Sequence, residues 1–119
     1  MALTSVTATI PAGESLSSAA DCSAGIRVAR IITPDTWPNN DISFELSVDN
    51  VNFHPLFHVD PKTFFSFEIY APHVPAGVVL TLPAELGSNV AWAKIRSGTK
   101  NLPVPVTVDQ TFQLVLEMP

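Results

Sequence analysis

Residues 42–48 alternate strictly between apolar and polar side chains, with Ile42, Phe44, Leu46 and Val48 on one side and Ser43, Glu45 and Ser47 on the other. A period of two belongs to a strand with one face on a core and one in water, because a helix would scatter the same residues around its axis. Asp49 and Asn50 follow, two residues that tolerate left-handed backbone angles, and then a second apolar-rich run over 51–57. Strand, turn and strand make a hairpin. The rest of the chain is expected to organise around this unit, which is structural before it is chemical.

Further strands are expected on both sides of it. A short one fits 7–10, ahead of the turn signal Pro11-Ala12-Gly13. The polar segment 14–21 lacks the apolar stripe of a stable helix and is expected to be irregular or a weak strand. Residues 26–33 are dense in β-branched side chains and apolar on both parities in their second half, the pattern of a central strand. After a Pro/Asn-rich loop at 34–41 and the hairpin, 63–70 alternates again. Phe65, Phe67 and Ile69 are expected on the core side, with Phe64 and Tyr70 left on the other. A strand at 78–82 and one helical turn at 83–87, opened by Pro and closed by Gly, come next. Over 91–99, Ala91, Ala93 and Ile95 face one way and Trp92, Lys94 and Arg96 the other. A closing strand at 111–118 turns Phe112, Leu114, Leu116 and Met118 inward. Seven or eight short strands separated by prolines argue for a single-domain, all-β antiparallel sandwich or a small barrel. Residues 1–24 are expected to be an N-terminal strand or extended arm, and 25–119 the sandwich.

Composition limits the function. Only 14% of residues are charged against 46% apolar, so some apolar surface must remain exposed, and homo-oligomerisation or a protein partner is expected. The net charge is −5 and the six Lys and Arg are scattered, which disfavours nucleic acid. No run approaches the eighteen or so apolar residues of a membrane span, and no basic region precedes an apolar core at the N-terminus; synthesis in the cytosol without a cleaved signal and no membrane contact are expected. The single cysteine, Cys22, is expected to be a small buried apolar residue.

No residues present a catalytic constellation, and no cofactor or metal is expected. His54 and His58 lie four apart, which on a strand separates them by roughly 13 Å, too far to share a metal unless the strand breaks at Pro55. Asp35, Asp41, Asp49 and Asp60 sit in turns, where Asp bonds its own backbone; a calcium site between loops is the alternative. Two places could carry binding. The face of Trp92, Lys94 and Arg96, with the aromatics Phe64 and Tyr70, suits an oligomer or shell interface, or a platform on which Trp92 stacks on a sugar. Trp37 and Asn50 are the candidates for a loop-end pocket.

Two resemblances add to this reading. The hairpin from Phe44 through Asp49-Asn50 to Phe53, the strand Ala91-Trp92-Ala93-Lys94-Ile95-Arg96 and the closing Phe112-Gln113-Leu114-Val115-Leu116 follow the order seen in discoidin-like, galactose-binding-type jelly rolls. That resemblance implies a jelly-roll sandwich; Asn50 stands where the family usually has Gly. In layout the chain also resembles small tailed-phage and prophage proteins, through Thr9-Ile10-Pro11-Ala12-Gly13-Glu14-Ser15-Leu16-Ser17 and Arg96-Ser97-Gly98-Thr99. This implies a virion protein made in the host cytoplasm. The expected role is non-enzymatic capsid decoration or stabilisation, with the protein itself, as a trimer, and a capsid or other virion protein as partners. A carbohydrate-binding module of a phage fibre or tail, with a glycan partner, is the alternative.

Overall fold

Strands form wherever alternation or β-branched density was clearest, and the prolines and left-handed residues between them cut the chain into more pieces than expected. The computed structural model describes residues 2–119. Its strands are β1 (Leu3–Ile10), β2 (Ala20–Asp21), β3 (Arg27–Ile32), β4 (Ile42–Ser47), β5 (His54–Pro55), β6 (Phe57–Val59), β7 (Ser66–Glu68), β8 (Tyr70–Ala71), β9 (Val79–Thr81), β10 (Trp92–Ser97) and β11 (Gln110–Glu117). One helical turn, α1 (Ala84–Gly87), precedes β10. The described residues thus hold eleven strands rather than seven or eight, because 51–57 divides into β5 and β6, 63–70 into β7 and the start of β8, and the segment 14–21 contributes β2.

Every pairing is antiparallel. One sheet has the order β1-β11-β3-β9 and a second the order β2-β10-β4-β5, with β8 also on β4; β6 and β7 form a separate two-stranded ribbon. Residues 1–24, of which residue 1 lies outside the described part, supply β1 and β2. All eight residues of β1 pair with β11.

The two larger sheets share one apolar core. Ala8 and Ile10 of β1, Val28 and Ile31 of β3, and Phe112, Leu114 and Leu116 of β11 meet Ile42 of β4 and Ala93 and Ile95 of β10. Cys22, Trp37, Val74, Val90 and Val106 close its margins. Each buried Val, Leu, Ile or Phe among them contributes roughly 1.5–3 kcal/mol by leaving water. The result is a compact, sandwich-like all-β molecule, its radius of gyration of 13.7 Å matching the value of about 13.5 Å usual for this length.

The alternation of β4 is observed, but its second face is not wet. Ser43 and Ser47 are buried and Glu45 is half-buried, while Val48, expected in the core, is 93% exposed. The reason is hydrogen bonding. Ser43 Oγ donates to the Gly98 carbonyl at 2.8 Å, so its small hydroxyl tolerates burial. Ser47 Oγ accepts the N–H groups of Asp49 and Asn50, turning the chain and carrying Val48 outward. Asn50 does adopt a left-handed conformation (φ 59°), as expected of the turn. The connection is nevertheless longer than two residues, since Glu45 and Leu46 pair with Pro55 and His54.

Candidate interaction surface

The region 56–70 departs furthest from expectation. Phe65 and Phe67, expected inside, are exposed, because among the described residues β7 has only β6 beside it and neither side chain reaches the apolar core. β6 and β7 pair Phe57 with Glu68, His58 with Phe67 and Val59 with Ser66. Directly opposed residues share a face, so Phe57, Val59 and Glu68 lie on one side and His58 and Phe67 on the other. The His58 and Phe67 rings meet edge to face at 5.4 Å.

The tip closes on its own bonds. Pro61 cannot extend a ladder, and the Asp60 carboxylate accepts the Lys62 N–H at 2.8 Å and the Thr63 N–H at 3.4 Å. The Phe64 N–H donates to the Asp60 carbonyl, and the Asp60 N–H to that of Phe65. Phe64 sits in the left-handed region (φ 60°), unusual for an aromatic. Its side chain is 80% exposed and that of Phe65 is 76% exposed. Phe57, Val59, Phe67 and Tyr70 are also exposed.

A buried charge cluster fastens this ribbon to the second sheet. Arg96 on β10 is only 6% exposed. Its guanidinium pairs with Glu45 of β4, reaches Glu68 of β7 at 3.4 Å and donates to Ser43 Oγ at 3.3 Å. Glu68 also accepts the Lys100 N–H, at 2.9 and 3.1 Å to its two oxygens. Gly98 makes that approach possible. Its φ of 90° suits glycine, and a Cβ there would collide with the Leu102 carbonyl.

The sequence-derived candidates fall into three groups. Trp92, Lys94 and Arg96 do share one face of β10, opposite Ala93 and Ile95. Cross-strand register places Arg96, Ser43 and Tyr70 in one row across the sheet. Arg96 is the buried anchor rather than a surface cation, and Trp92 and Lys94 are half-buried, with Lys94 Nζ 4.4 Å from the Phe53 ring centre. Phe64 stands apart at the ribbon tip.

Trp37 requires correction as a pocket residue. It is 4% exposed, packs edge-on against Phe112 at 5.0 Å and donates its indole N–H to the Asn40 carbonyl. An apolar core with a nearby carbonyl satisfies both halves of a tryptophan better than a wet loop. Asn50 is exposed on the loop after β4. Beside that loop, Leu46, Val48, Val90 and Ala91 together with the polar Ser47, Asp49, Asn52, His54 and Asn89 line a groove of about 480 Å³. The Asp49 carboxylate is held well below the usual range by the N–H groups of Asn52 and Val51 and the hydroxyl of Ser47, so it serves its own loop.

Phe57, Val59, Phe65, Phe67, Glu45 and Glu68 are surface or anchor residues that sequence reasoning missed. One signal was present: four of the seven phenylalanines fall within 57–67, on either side of Asp60-Pro61. Among the described residues no three His, Cys, Asp or Glu side chains converge as metal ligands. No family model, characterised protein or solved structure matches the chain.

Proposed function

We propose that this chain is a non-enzymatic structural protein of a phage virion, decorating or stabilising a capsid, and that the aromatic ribbon is the part that touches the shell or a neighbouring copy. The observation that carries the interface is the ribbon itself. Four phenylalanines and the only tyrosine are exposed on or beside an element anchored by buried charges, where much of their apolar surface stays in water until a partner covers it. The virion assignment is supported by the sequence resemblance at 9–17 and 96–99. A contact of standard size hides roughly 800 Å² per partner, and a closed trimer that forms only on the shell, in virions assembled in the host cytoplasm, is the arrangement we favour.

The jelly-roll form of the sandwich belongs to the same reading. It is supported by a chain that crosses between the larger sheets at each step from β1 to β4 and again from β9 to β11, and by first and last strands that lie side by side.

The test is co-sedimentation with virus-sized particles in a density gradient, scored as copies per particle. Hundreds of copies are expected for the native chain, and a loss of at least tenfold for the double substitution Phe64→Ser and Phe65→Ser. Absence from particles, or full retention of the double variant, defeats the proposal.

A second reading, a carbohydrate-binding module of a fibre or tail, is favoured by the groove in which Asn52, His54 and Asn89 add hydrogen-bonding groups to a largely apolar wall. It expects a saturable thermal shift with one member of a glycan panel that His54→Ala abolishes. A flat response across the panel removes it.

A further inference from the structure

Strand β1 is an edge of its sheet, with β11 on one side and, among the described residues, no strand on the other. The direction of its backbone groups follows from three bonds. The Thr9 N–H donates to Ser18 Oγ at 3.2 Å and the Thr9 carbonyl accepts the Ser18 N–H at 2.9 Å, both away from β11. The Ala2 carbonyl, in contrast, accepts the Met118 N–H at 2.9 Å, on the β11 side. Because these groups alternate along an antiparallel strand, Leu3, Ser5, Thr7 and Thr9 point outward. Ser18 satisfies Thr9. The outward N–H and carbonyl groups of Leu3, Ser5 and Thr7 have no partner among the described residues.

Exposed edges are ordinarily blunted by shortness, proline, charge or a bulge. The other edges here are: β6, β7 and β9 have three residues, β2, β5 and β8 have two, and β5 contains Pro55. β1 has eight residues without charge, proline or glycine, and its register with β11 runs without a bulge.

We infer that β1 is a strand-addition interface for a second copy of this chain, paired antiparallel across a two-fold axis at Ser5. That register places Ser5 opposite its own counterpart and Leu3 opposite Thr7 of the second copy. It is the register in which every open N–H and carbonyl finds a mate, since each hydrogen-bonded pair of an antiparallel ladder exchanges two bonds. Between them Thr4 faces Val6, a favourable β-branched cross-strand pair. Identity of the two strands also matters for charge. A chain carrying −5 repels its copy in general, but no like charges meet along β1. The nearest carboxylate in register, Glu117 beside Leu3, is neutralised by Arg27 at 2.9 Å. The two four-stranded sheets then continue as one of eight strands, within the range that open sheets reach. This contact does not involve the ribbon and stands independently of the virion reading.

The test uses the full chain in sedimentation equilibrium from low to tens of micromolar, where a dimer is expected. Ser5→Pro deletes an outward N–H at an edge that tolerates proline, while the bonds to β11, made by the even-numbered residues, stay intact. It is expected to weaken the dimer roughly ten- to a hundredfold, with the low-concentration Tm unchanged. Amide exchange in the native chain supplies a readout independent of folding of the variant: Leu3, Ser5 and Thr7 become protected with rising concentration, while Thr4 and Val6 are protected throughout. A monomer across the range, or exchange at Leu3, Ser5 and Thr7 that ignores concentration, overturns the inference. So does a dimer that survives Ser5→Pro but is lost on Phe64→Ser and Phe65→Ser, an outcome that favours the ribbon instead.

Discussion

Phe112 on β11 and Phe65 ahead of β7 lie in stretches that alternate equally well, yet the first is wholly buried and the second almost wholly exposed. β11 has β1 and β3 at its two edges and a second sheet across the core. β7 has only β6, and a two-stranded ribbon of three residues a side is marginal in water by itself. Alternation therefore specifies that a stretch is extended; what is stacked on it decides whether its apolar side is a core or a contact surface. The ribbon keeps its shape through a self-bonded tip and the Arg96–Glu68 anchor rather than through burial.

The sharpest way to break this contrast is to truncate one aromatic in each region. Trp37→Ala should cost about 3–5 kcal/mol in urea unfolding, the range for large buried aromatics, whereas Phe65→Ala should change stability by no more than about 0.5 kcal/mol. Comparable losses at the two positions would mean that the ribbon belongs to the cooperative core. Next in size is Glu68→Ala, which leaves Arg96 paired with Glu45 but removes the ribbon's charged ties, at a cost of about 1.5–3 kcal/mol. Hydrogen exchange should show the β6–β7 amides opening before β10 and β11. Uniform acceleration across all strands would show that the anchor serves the whole fold.

An effect confined to alkaline pH reports on the core alone. Burial, helped by neighbouring Asp21, pushes the Cys22 thiol up to about 11. A folded value above the unfolded one adds stability that is complete below about 9, the ordinary thiol value, and lost as pH rises through about 11. Stability should therefore decline over that window and the decline should be shallower in Cys22→Ala. Labelling of Cys22 by a thiol reagent at neutral pH should be equally slow in the native chain and in Glu68→Ala. Faster labelling in the variant would couple ribbon and core.

Much of the larger sheets was legible in the sequence. β3, β10 and β11 fall within a residue or two of their expected bounds, because β-branched density and alternation there coincide with real burial on one face. Asp49 and Asp60 bond their own turns as their positions implied. What was not legible concerns polar residues that find partners far along the chain. Ser43 is buried because Gly98, 55 residues away, receives its hydroxyl. Arg96 is an anchor because Glu45 and Glu68 reach it from other strands. Trp37 entered the core from a loop through Phe112, 75 positions on in the sequence. Local pattern carries none of these distances, and the exposure of Phe65 and Phe67 is the same limitation seen from outside.

The anchor has a consequence for how such a protein can change over generations. Glu68 and Arg96 hold the ribbon at its base, and the exposed phenylalanines beyond it contribute little to the interior, so folding exerts almost no selection on their identity. If the tip is the contact surface we propose, its specificity can drift one side chain at a time while the scaffold is inherited unchanged.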